Sequence, residues 1–91
     1  MRRFIIEREM QGIGDADQAT LCAGSQKSND VLAKLGPDIQ WVESFVTADK
    51  IFCVYLAKDE GIIRRHAEES GFPANRITEV KTKIDPTTAR A

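Results

Sequence analysis

The chain opens with RFIIERE, residues 3–9, in which Phe4 and Ile6 fall on one side of an extended backbone and Ile5 and Glu7 on the other. This period-two alternation predicts a first β-strand. GIGDAD then breaks it. From Asp15 or Asp17, either of which can cap a helix by accepting N–H bonds from its first turn, the apolar pattern changes to the helical period. Leu21, Ser28, Val31, Leu32 and Leu35 supply an inward stripe that ends at Gly36-Pro37. Gly24 and several serines weaken the middle of this helix, so its stability has to come from packing on a sheet.

IQWVESFVTADKIFCVYLA predicts two antiparallel strands joined by a short turn around Thr47, Ala48, Asp49 and Lys50. Trp41, Glu43 and Phe45 alternate with Val42, Ser44 and Val46. After the turn, Phe52, Val54 and Leu56 alternate with Ile51, Cys53 and Tyr55. Both faces of the second strand are thus substantially apolar, as in a sheet covered on one side by helices and on the other by a second copy. KDEG starts a second helix, with Asp59 and Glu60 near its positive end, and Gly71-Phe72-Pro73 closes it. Ile63, Ala67 and Ser70 share one face, with Ile62 beside it. A last strand is expected from Arg76 to Ile84, followed by the turn-rich DPTTARA.

Strand, helix, strand, strand, helix, strand is a split βαβ arrangement. It predicts an α+β, ferredoxin-like sandwich, a single domain over residues 1–91 with two helices on one face of a four-stranded antiparallel sheet. With 91 residues the chain is near the lower end of what buries a useful core, which favours association through the sheet.

Charge narrows the partners. Thirteen Lys and Arg against fourteen Asp and Glu leave a formal net charge of -1, without the positive field that a nucleic-acid binder uses. Exposed strand aromatics flanked by basic residues are only faintly represented, by Trp41, Phe45 and Tyr55. No nucleic-acid partner is expected. No segment has the length of a membrane span, and the charges of MRRFIIEREM interrupt any signal-peptide core, so a cytoplasmic protein with no membrane partner is expected. In that reducing compartment Cys22 and Cys53 stay free thiols.

The candidate chemistry centres on His66, the chain's one histidine. Any imidazole ligation or histidine-dependent proton transfer must use it, although a lone histidine on a helix's buried edge also serves as a packing residue. Arg65 and Glu69 form a solvated charged face, or Glu69 accepts the histidine's second proton. On the central hairpin Cys53 and Tyr55 share a face. Glu43 can stand across the strand pair, and Glu7 and Glu79 come from neighbouring strands. Carboxylates, a phenol, a thiol and an imidazole form a mixed donor set for a borderline divalent ion, nickel or zinc. Cys22 reads as quiet helix packing. No CxxC, HExxH, phosphate loop or dinucleotide glycine fingerprint is present, and no catalytic residues can be named.

Five stretches carry a resemblance that covers nearly the whole chain: RFIIERE, VLAKLGP, WVESFVTADKIFCVYLAKDE, IIRRHAEESGFPANRITEV and IDPTTA. Together they resemble a family of small bacterial ferredoxin-like proteins of unknown function, some members of which are described as nickel-binding. The resemblance implies a homodimer joined through its sheets, with a nickel site from the strands and the second helix. His66 matches the histidine of the family's HA and G(F/L)P stretch. Cys53 and Tyr55 match a YCVY-like hairpin, here FCVY, where Phe52 replaces a tyrosine of many relatives and lacks its hydroxyl. The leading expectation is therefore a homodimeric nickel-binding accessory protein, with zinc the second choice of ion. The alternatives are an enzyme using a small-molecule cavity near His66, and a purely structural or interaction dimer.

Overall fold

A computed structural model describes residues 1–90. Its main elements run β1 (Arg2–Glu9), α1 (Gln18–Leu35), β2 (Ile39–Val46), β3 (Lys50–Ala57), α2 (Glu60–Ser70) and β4 (Arg76–Glu79), with short helical turns at Ile13–Asp15 and Pro86–Arg90. The strands form one antiparallel sheet in the order β2-β3-β1-β4. This is the ferredoxin-like α+β fold expected from the sequence.

Alternation in β1 sorts its side chains. Phe4, Ile6 and Arg8 are buried, whereas Ile5 and Glu9 are exposed. Register places Tyr55 opposite Phe4 and Cys53 opposite Ile6, and these residues join Ala57, Ile39, Ile62 and Ile63 in the core. Each large aliphatic or aromatic side chain removed from water here contributes about 1.5–3 kcal/mol. Leu32, Leu35 and Ile77 pack against the same cluster. Both helices begin on an aspartate: Asp17 Oδ1 accepts from the Thr20 N–H at 2.8 Å, and Asp59 Oδ1 from the Ile62 N–H at 3.0 Å. α2 ends at Gly71, whose φ of 78° only glycine adopts without strain, and whose N–H bonds the Ala67 carbonyl at 2.9 Å.

Two details depart from the sequence expectation. In β2 the register jumps between Trp41 and Glu43, leaving Val42 as an extra residue. Beyond this bulge the faces exchange: Ser44 and Val46 stand with Trp41 opposite Cys53, Ile51 and Tyr55, while Glu43 and Phe45 pair with Val54 and Phe52. Glu43 therefore does not share the face of Cys53. The last strand stops at Glu79 rather than Ile84. Glu79 pairs with Phe4 and the Val80 N–H still reaches the Arg3 carbonyl at 2.8 Å, so Lys81 would face Arg2 and anything further would lie past the end of β1.

The sheet's other face has no covering element among the described residues. Ile5, Val42 and Phe45 are exposed on it, beside half-buried Phe52, Val54 and Leu56. Among the described residues no helix is long and apolar enough to cross a membrane.

Candidate functional site

The inward face of α2 carries Ile62, Ile63, His66, Ala67 and Ser70, the i, i+3, i+4 spacing that lines one side of a helix. His66 is completely buried. Its Nε2 lies 3.1 Å from the Oγ of Ser28 on α1, and its ring centre 5.5 Å from that of Tyr55 at a tilt of 54°. The Ser70 hydroxyl donates to the His66 carbonyl at 2.7 Å, while Nδ1 has no partner among the described residues. Burial depresses the imidazole pKa, the Ser28 contact opposes that, and the charge of Arg8 reinforces it. His66 is therefore a neutral imidazole at pH 7.

Arg8 comes to the same layer from β1. It is only 3% exposed. Its Nε donates to Cys53 Sγ at 3.4 Å and its Nη1 to the Pro73 carbonyl at 2.7 Å. Its guanidinium carbon sits 6.0 Å from the ring centres of both Tyr55 and Phe72. Burial raises the Tyr55 pKa, with the Ser28 hydroxyl and the Arg8 charge opposing, so the phenol keeps its proton at neutral pH.

Arg8, Ser28, Cys53, Tyr55 and Phe72 line one part of a half-open cavity of about 360 Å³ between the sheet and α1. Arg8, Ser28, Ser44, Cys53 and Tyr55, with Thr20 and Ser25, are its polar residues, and Met10, Leu21, Trp41, Ile51 and Phe72 belong to its apolar wall. The Trp41 indole is held by donation from Nε1 to Ser44 Oγ at 2.9 Å. The volume is at the small end of the 300–1,000 Å³ typical of ligand pockets. No carboxylate lines it, and neither does His66.

The sequence-derived donor set divides across the sheet. His66, Cys53 and Tyr55 lie on the helix-covered side. Glu7 pairs with Phe52 and Glu43 with Val54, which puts both carboxylates on the opposite face. They also sit on strands separated by β3, about 10 Å apart at the least. Glu79 is at the edge, 3.4 Å from Arg2 in an exposed ion pair. Glu69 is not the acceptor for the imidazole proton: it pairs with Arg65 at 3.1 Å. Cys22 is exposed rather than packed in its helix, Cys53 is buried, and neither is joined to the other.

Within one copy this set does not fit a divalent ion. Among the described residues no group of three or more His, Cys, Asp and Glu side chains is placed to hold one. The Cys53 sulfur accepts from a guanidinium, whose charge repels a cation.

Arg8 was not among the residues singled out from the sequence. The signal was present in RFIIERE, since the spacing that buries Phe4 and Ile6 also carries Arg8 inward, and Cys53 and Tyr55 on the neighbouring strand offer it no acid.

The profile of the nickel responsive, SCO4226-like protein family matches residues 4–80, and the chain belongs to that family. Its fold is similar to the crystal structure of SCO4226 from Streptomyces coelicolor A3(2), with a TM-score of 0.76 at 18% identity, covering 90% of this chain and 99% of that one. A comparison with curated proteins finds no match.

Proposed function

We propose that the protein is a homodimeric, non-catalytic accessory protein that captures a small molecule between its sheet and α1, within the nickel response with which its family is associated. The observation that carries this reading is the cavity of about 360 Å³ bounded by Arg8, Tyr55, Trp41 and Phe72. A half-open cleft of this size, with an apolar wall and a few polar groups at one part, is suited to a small guest. An acid–base role for His66 gains no support, because none of its atoms reaches that space and its Nε2 is engaged with Ser28.

The homodimer is supported by the open sheet face, where Ile5, Val42 and Phe45 remain exposed. A second copy laid on this face removes them from water. Such a dimer gathers Glu7 and Glu43 at its interface and adds no donor at His66, which is on the sheet's other side. Capture of nickel or zinc by the full set of His66, Cys53, Tyr55, Glu43, Glu7 and Glu79 therefore gains nothing from sheet-to-sheet pairing.

Trp41 is the chain's one tryptophan, and its position in the cavity wall makes its fluorescence the reporter. Titration of tag-free protein with small aromatic and branched aliphatic molecules is expected to give a saturable change. Gly24→Leu, which places a side chain toward Phe72 across the cavity, is expected to abolish it. A flat response to the whole panel would contradict the reading.

A further inference from the structure

The captured molecule's chemistry follows from a charge imbalance. Arg8 carries a fixed positive charge, since guanidinium keeps its proton at every pH of interest. A buried charge of this kind is ordinarily matched by a carboxylate, because the protein interior does not replace the water it has lost. Here the Arg8 side chain is bonded by the Cys53 sulfur and the Pro73 carbonyl, neither of them a carboxylate, and faces two aromatic rings. Its Nη2 has no hydrogen-bond partner among the described residues, and none of the ion pairs there includes it. The residue also forms part of the cavity wall, which contains no Asp or Glu. His66 and Tyr55, which adjoin it, are both neutral at pH 7.

We infer that the cavity takes a small organic monocarboxylate, with the acid group against the Arg8 side chain and an apolar body against Trp41, Leu21 and Phe72. The inference rests on the cavity reading above and deepens it. A carboxylate supplies the missing negative charge in the planar geometry that suits a guanidinium. Ser28, Ser44 and the protonated Tyr55 hydroxyl are among the uncharged donors on the same wall. The apolar lining argues for an acid with a hydrocarbon body over a bare inorganic anion, whose hydration the cavity cannot replace. One charge is matched by one charge, so a dicarboxylate would bring a second, unpaired one into an apolar space.

The test is a calorimetric titration of the tag-free protein with benzoate, phenylacetate and isovalerate, each beside its neutral amide, with the backbone amide and Trp41 indole NMR signals followed in parallel. The expected result is saturable binding of at least one acid, at least tenfold tighter than its amide, with the largest shifts at Arg8, Trp41 and Phe72. Arg8→Gln is expected to erase the preference for the acid. Because Arg8 also holds the Pro73 carbonyl, its replacement puts the fold at risk, and the comparison of acid with amide on the unaltered protein decides the matter without it. Equal binding of acid and amide would overturn the carboxylate assignment while keeping the cavity reading. Absence of binding by every acid and amide would overturn both.

Discussion

His66 Nε2 and Ser28 Oγ meet at 3.1 Å, joining α2 to α1 through two side chains that are almost wholly removed from solvent. The chain's one imidazole is thus a cross-link between helices, held neutral by burial, and not a ligand presented to an opening.

Neutrality at His66 makes stability depend on pH. The folded pKa is below the unfolded value of about 6.5, so the unfolded chain takes up the proton first as the solution is acidified. The contribution is complete above that unfolded value and is lost as pH falls through the window down to the folded one. Each unit of depression corresponds to about 1.4 kcal/mol. Urea unfolding from pH 7.5 to 5 is expected to show a falling midpoint, and His66→Gln is expected to flatten that particular slope while lowering stability at pH 7.5. An unchanged slope in the variant would show that other groups cause it.

Gly24 sets ligand space against helix stability. It lies inside α1, and a methyl group added there would meet only Phe72, at an ordinary contact distance of 3.8 Å. Gly24→Ala is expected to stabilise the fold by up to about 1 kcal/mol, through helix propensity, while narrowing the cavity. Thermal unfolding together with the Trp41 fluorescence titration checks both effects. A more stable variant with undiminished ligand affinity would place the ligand elsewhere.

Association is expected to run through the open sheet face. Val54 is central on that face, between Ile5 of β1 and Glu43 of β2. Val54→Glu buries an unpaired charge in any sheet-to-sheet dimer and is expected to yield monomers in sedimentation velocity, with the fold retained by circular dichroism. A dimer that survives this change would use another surface.

Much of the fold was legible because the hydrophobic periods are clean. Phe4 and Ile6 alternate, Ile63 and Ala67 keep helical spacing, and Gly36 and Gly71 mark the helix ends. The site was legible only in part. His66, Cys53 and Tyr55 were recognisable as residues of one layer, but strict alternation assigned Glu43 to the face of Trp41, and a single extra residue at Val42 reversed it. Bulges depend on pairing between strands and leave no local pattern. Arg8 was hidden for a different reason: near the end of a strand an arginine ordinarily reads as solvated, and its burial follows only when Phe72 and Pro73 lie against it. The extent of β4 likewise depended on the length of β1 beside it, and not on the apolar positions of its own segment.

Crystals of tag-free protein grown with nickel and benzoate, with data collected at the nickel absorption edge, test the account most directly. It predicts benzoate density among Arg8, Trp41 and Phe72 and no anomalous peak within bonding distance of His66. A nickel ion on the His66 imidazole, shared with Cys53 or Tyr55, would contradict it.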